Sequence, residues 1–261
     1  DDAYLKPNKA EGENAADYIT FGATGFTVHT GYGIINESGS TYIYMAIRRP
    51  MKTPTAGTEV FAVSQGASGV SEPGIRNSPA FPVDFAILTN PTANGYNRTT
   101  SSRLTSAQTL NADTTNSYAN SPPFVFDYMN GFYADALTTS WYGYSWGRAP
   151  GFMDVVAYAG NGTAGRTVAH NLGVVPEMIW VKGRVRSNTG WAVYNKTIGN
   201  TKRLELDSAA GSATATPWNN TTPTDSTFTI SDDLAVNGGS PDTYIAYLFA
   251  TVAGVSKVGS Y

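Results

Sequence analysis

The chain has 261 residues, of which 41% are hydrophobic and only 14% charged; it carries a net charge of −3, two histidines and no cysteine. The missing cysteines exclude disulfides, zinc–thiolate centres and cysteine nucleophiles. The mildly acidic balance, with adjacent basic residues forming pairs (Arg48–Arg49, Lys202–Arg203) rather than tracts, argues against a basic stripe for a phosphate backbone.

Gly, Ser, Thr and Asn fill the polar quota that Glu, Lys and Ala fill in helical proteins, a mix suited to short strands and tight turns. Residues 1–50 begin acidic and polar, unlike a signal peptide, then give "FTV" at Phe26 and the aromatic run "TYIYMAIRRP" from Thr41. Residues 51–150 give "VFAV" at Val60, "FPVDFAIL" from Phe81, "NGYN" around Tyr96, "FDY" at Phe126 and "WYGYSWGRAP" from Trp141. Residues 151–250 give "DVVAYAG", "EMIWVKG", "WAVYNK", "RLELDS", "TFTIS" and "TYIAYLFA", all alternating or running apolar over strand lengths. Asn-Gly pairs at Asn94, Asn130, Asn161 and Asn237 mark turns that need positive φ. No segment shows a helical apolar period over ten or more residues, and none reaches the roughly 18 apolar residues of a membrane helix.

These segments recur. Tyr142 follows Tyr42 by 100 positions and Tyr244 follows Tyr142 by 102; a Phe stands 16 positions before each, at Phe26, Phe126 and Phe228. "FPVDFAIL" answers "VPEMIWV", "NGYN" answers "TGWA", and "VSKVGSY" answers "FMDVVAY", placing Tyr261 103 positions after Tyr158. The pattern predicts a unit of about 100 residues. Residues 1–50 are then the second half of a first unit, 51–150 a second, 151–250 a third and 251–261 the start of another, so the chain reads as a window on a longer protein. Tyr42, Tyr142 and Tyr244 take one position in this scheme and serve the fold. Six to eight short strands per unit predict an all-β fold of tandem antiparallel β-sandwiches, with a closed barrel as the alternative.

No catalytic constellation emerges. His170 has no partner at a fixed spacing and reads as a turn residue; "QGASGVS" near Ser68 misses the nucleophile-elbow pattern; no phosphate loop or H-E-x-x-H is present. Asp232 and Asp233 are adjacent and diverge, and "SDDLAVNGGSPD" lacks the order of a calcium loop. The reading is therefore no enzyme, no catalytic residue, no metal and no cofactor. Trp191, Trp218 and Tyr96 lie beside turn-rich segments and are the candidates for stacking on a glycan; the alternative for all three is packing between strands or units.

The third unit, "FMDVVAYAGNGTAGRTVAHNLGVVPEMIWVKGR" followed by "WAVYNKTIGNTKRLELDS" and "TYIAYLFATVAGVSKVGSY", resembles a repeat of virion structural proteins from tailed phages of the marine and cyanobacterial type. There it often accompanies laminin-G or concanavalin-like sandwiches, so the resemblance implies that each unit is a jelly-roll or laminin-G-like sandwich. The second unit lacks the His-Asn-Leu-Gly element and the "PWNN" turn. The resemblance implies a tail, fibre or capsid-surface protein at the virion surface. Its partners would be other virion structural proteins, further copies of itself and a host-surface glycan, with no nucleic acid and no membrane. The alternative is a bacterial surface adhesin or extracellular filament subunit.

Overall fold

The computed structural model describes residues 3–4, 14–15, 19–21, 26–29, 35–44, 51–66, 79–92, 98–105, 108–119, 124–134 and 139–260. The chain divides into two units, 1–50 and 51–261.

In the first unit, β1 (Ala3–Tyr4) pairs antiparallel with β2 (Asn14–Ala15), and β3 (Ile19–Phe21) with β4 (Phe26–Val28). The Phe26 ring meets Tyr44 edge-on at 5.1 Å. Thr41–Tyr44 is not a strand, and Ile43 is 98% exposed.

The second unit holds β5 (Phe61–Gln65), β6 (Phe85–Thr89), β7 (Thr99–Ser102), β8 (Leu110–Asn111), β9 (Phe124–Val125), β10 (Tyr133–Ala134) and β11 (Tyr142–Trp146). There follow β12 (Met153–Ala159), β13 (Arg166–Ala169), β14 (Met178–Gly183), β15 (Ala192–Asn195), β16 (Lys202–Glu205), β17 (Ala213–Thr214) and β18 (Thr227–Ile230). The one-turn helix α1 (Leu234–Asn237) and β19 (Thr243–Phe249) complete it. Two large antiparallel sheets result, ordered β5-β11-β6-β7-β8 and β12-β19-β14-β15-β16-β17. Both follow one plan: the last long strand sits between the first and the second, and the third and fourth extend outward.

The protein is all-β and sandwich-like. Phe61, Phe85 and Trp146 of the first large sheet pack with Met153, Val155, Ile245, Tyr247 and Phe249 of the second and with Trp191, just before β15. The Phe85 and Tyr247 rings are 4.1 Å apart. On its other face the first sheet packs Ala86 and Leu88 against Phe124, Phe126 and Phe132 around the β9–β10 hairpin. The second sheet's other face meets the β13–β18 pair and α1: Tyr158 lies edge-on to Phe228, and its hydroxyl donates to the Val236 carbonyl. A strand covered on both sides reads as a continuous apolar run, which is the pattern of "TYIAYLF" in β19.

Hydrogen bonds fix how the two large sheets correspond. Gly147 N donates to Val60 O and Ala250 N to Phe152 O; Asp84 N donates to Trp146 O and Glu177 N to Phe249 O. The carbonyl of Ala149 takes Phe152 N and Met153 N, and that of Val252 takes Val255 N and Ser256 N; Gly151 and Gly254 both have φ +76. Trp146 thus corresponds to Phe249, 103 positions on, so Tyr142 corresponds to Ile245 rather than to Tyr244. Tyr142 shares a face with Trp146, which packs toward the second sheet; Tyr244 is on the opposite face of β19, stacked on Tyr158 at 5.3 Å. The shared position expected for the two tyrosines is therefore one residue out, and in a strand one residue turns a side chain to the other face.

The Asn-Gly expectation also divides. Gly162, after Asn161, has φ +64, but Asn237 is fully buried in α1 and Gly238 has φ −64. The Asn237 amide donates to Asn161 Oδ1, Thr163 O and Ser231 O and accepts from Asn161 N. Gly238 is required for space, since a Cβ there would lie 2.1 Å from Asp242 Oδ2. Asn94 lies outside the described residues.

Candidate functional site

A cleft of about 330 Å³ opens beside β14 and β15, lined by Val175, Pro176, Glu177, Tyr194, Lys196, Gly199, Asn200 and Thr222. Local sequence shapes its rim. The Asn195 side chain accepts from Thr197 N at 2.9 Å, its carbonyl accepts from Gly199 N, and Gly199 at φ +82 reverses the chain to present Asn200. No atom would lie within 4 Å of a Cβ at Gly199, so backbone conformation alone calls for glycine there. From the other side, Asn219 and Asn220, both at φ +49, turn the chain so that Thr222 Oγ1 accepts from Asn200 Nδ2 at 3.0 Å.

Glu177 stands at the cleft's charged end. Its Oε1 pairs with Lys196 Nζ, and its Oε2 accepts from Thr251 Oγ1 at 2.5 Å. Burial pushes its carboxyl upward, but the Lys196 and Thr251 hydrogen bonds and the Lys196 charge outweigh this and hold it below the usual carboxylate range. Tyr194 is 3% exposed and meets Trp218 edge-on at 5.7 Å; burial pushes its phenol up, keeping it neutral. Among the described residues its hydroxyl has no hydrogen-bond partner.

The charged end has a counterpart in the first large sheet. Asp84 pairs with Arg103 at 3.4 Å and accepts from Arg148 N at 2.7 Å. By the hydrogen-bond correspondence Asp84 matches Glu177, Arg103 matches Lys196 and Arg148 matches Thr251. This node belongs to the framework, tying the second and third strands to the end of the last. Tyr194, Asn200 and Thr222 belong to the second sheet's own cleft; Ser101, at the position of Tyr194, instead donates to Gln108 O.

The candidate stacking residues fall elsewhere. Trp191 is fully buried between the large sheets, its indole N–H donating to Asn111 O at 2.9 Å. Trp218 is 1% exposed, its N–H donating to Lys202 O at 3.2 Å. Neither offers a ring face to a sugar: the indoles are core groups whose polar atoms are satisfied internally. Tyr96 lies outside the described residues. Sequence reasoning passed over Glu177, Tyr194, Lys196, Asn200 and Thr222. One signal was present, because Asp84–Arg103 and Glu177–Lys196 are both acid–base pairs 19 positions apart.

Other polar groups that the sequence brings forward are tied into local structure. His170 Nδ1 accepts from Leu172 N and Nε2 faces Thr224 O, so the neutral imidazole is satisfied at both nitrogens. Burial lowers its pKa, against the opposing pull of Thr224 O, Asp154 and Asp225. Asp233 caps α1 through Ala235 N, and Asp242 pairs with Arg186 at 2.7 Å. Among the described residues no three His, Asp or Glu side chains converge in a way that would hold a metal. Lys182, fully buried, donates to Thr115 O at 3.1 Å and Thr189 O at 2.5 Å; burial lowers its pKa to about 8, with Asp207 opposing. Burial pushes the Tyr247 phenol well above its ordinary value, with Ser102 and Arg184 opposing.

Fold and site together define an antiparallel all-β sandwich with a small, charge-balanced cleft. Residues 143–261 match the family model described as a domain of unknown function, DUF7483, a span running from within β11 through the whole six-stranded sheet. No curated protein matches the chain, and no solved structure matches it.

Proposed function

We propose that the chain is a non-enzymatic structural protein of a tailed-phage virion, a tail, fibre or capsid-surface component built from repeated units of about 100 residues. The observation that carries this reading is the common plan of the two large sheets: one strand order, one closing turn and one ion-pair node. Such a plan suits a module whose work is shape, stacked by burying one sheet on the next. The commitment of His170, Asp233 and Asp242 to local structure agrees with it. So does the resemblance of "VAHNLGVVPEMIWVK" to the phage repeat. Other virion proteins and further copies of the chain are the partners this role calls for.

Antibody labelling of purified particles and of uninfected cells, read by electron microscopy, tests the proposal. Label on a tail, fibre or capsid surface is expected. Label confined to uninfected cells or free filaments would replace it with the adhesin reading.

A further inference from the structure

We propose that the cleft beside β14 and β15 binds one neutral, hydroxylated ring, a hexose or related sugar residue. Its volume of about 330 Å³ is at the small end for ligand pockets and suits a single ring. Its charges cancel, because the Lys196 ammonium is matched by the Glu177 carboxylate, so an anion or cation gains little there. The polar groups left over are a mixture of donors and acceptors: the Tyr194 hydroxyl, the remaining Lys196 protons, the Asn200 amide oxygen and the Thr222 hydroxyl. Vicinal hydroxyls, each both donor and acceptor, match that mixture.

Two features make the cleft a built site. Tyr194 is nearly buried, held against Trp218, and lines the cleft with a hydroxyl that has no partner among the described residues. That hydroxyl is open to the cleft rather than sealed in the core, so it can pair with a ligand hydroxyl. Val175 and Pro176 supply an apolar wall for the C–H face of a ring. The framework node holds Glu177 and Lys196 in place before any ligand arrives, while Asn200 and Thr222 come from two turns already tied together.

The test is titration of the full ¹⁵N-labelled chain with the methyl glycosides of glucose, galactose, mannose and N-acetylglucosamine, followed by NMR. A ligand of this size is held at a Kd on the order of millimolar. At least one glycoside is expected to shift the amide signals of Lys196, Asn200 and Thr222 saturably. Tyr194→Phe, which removes only the hydroxyl, and Asn200→Ala are each expected to weaken that binding by about three- to tenfold with the amide spectrum otherwise unchanged. No saturable shift with any of the four glycosides overturns the proposal, as does binding that both variants leave intact. Neither result touches the virion reading, which stands or falls on particle labelling.

Discussion

Lys182 makes a quantitative prediction. Its ammonium is fully buried between the large sheets, on the carbonyls of Thr115 and Thr189, and its pKa falls from 10.5 to about 8. In the unfolded chain the same group keeps its proton to about pH 10.4. Between these values the unfolded state holds more protons than the folded one, so stability rises with pH. At about 1.4 kcal/mol per pKa unit, the buried charge costs about 3 kcal/mol at pH 7, and about 2 kcal/mol of that is recovered by pH 9.5. For the unit spanning 51–261 this is a rise in Tm of about 4–8 °C. Above about pH 10 the trend reverses: burial raises Tyr158, Tyr194, Tyr244 and Tyr247, so the unfolded chain loses those phenolic protons first. Urea denaturation in half-unit steps from pH 7 to 10.5 reads this curve directly. Lys182→Met keeps the stem's packing and removes the titration, so its profile is expected to be flat from pH 7.5 to 9.5. A flat wild-type profile, or an undiminished rise in the methionine variant, would refute the reasoning.

Three further predictions rest on single positions. Phe85→Ala removes a fully buried ring stacked on Trp146 and packed against Tyr247; it is expected to cost about 3–5 kcal/mol by chemical denaturation, and a loss below about 1 kcal/mol would mean the sheets are not packed face to face there. His170 is held neutral, so stability is complete above about pH 6.5 and declines as pH falls toward its lowered folded value; His170→Asn should flatten the wild-type decline between pH 6.5 and 5. The two nodes should differ in weight despite their common geometry. Asp84 is 5% exposed, and Asp84→Ala removes the acceptor of the Arg148 N–H and the carboxylate beside Arg103, which keeps the Val83 carbonyl, for about 2 kcal/mol. Glu177 faces a half-exposed Lys196, and Glu177→Ala should cost about 1 kcal/mol. Equal losses in one denaturation series would overturn that ranking.

Much of the fold was legible because strand chemistry is local. The expected segments "DVVAYAG", "EMIWVKG" and "TYIAYLFA" coincide with β12, β14 and β19 to within a residue or two. The face of each residue was not legible. Alternation reports a face only when one side of a sheet is wet, and here Tyr244 and Ile245, neighbours on opposite faces, are both fully buried. The tryptophans misled for a related reason. Trp191 and Trp218 do adjoin turns, but the turns fold the indoles inward, where Asn111 and Lys202 carbonyls wait for their N–H groups. The cleft was the least legible, since Glu177, Tyr194, Asn200 and Thr222 meet only after three separate segments have folded.

The common plan of the two sheets separates framework from function more sharply than burial does. Glu177, Lys196 and Thr251, seen alone, have the features of a catalytic group: a lowered carboxylate, a cation and a hydroxyl in contact. Asp84, Arg103 and Arg148 repeat that arrangement at matching backbone positions, with a guanidinium for the ammonium and a backbone N–H for the hydroxyl. What the two places share is opposite charge and a donor, which is what a staple between the second, third and last strands needs. Tyr194 reverses the case. Its counterpart, Ser101, satisfies its hydroxyl on Gln108 O, whereas the larger phenol reaches the cleft and has no such partner. The unpaired group therefore arises where the second sheet departs from the common plan, and there a ligand has something to complete.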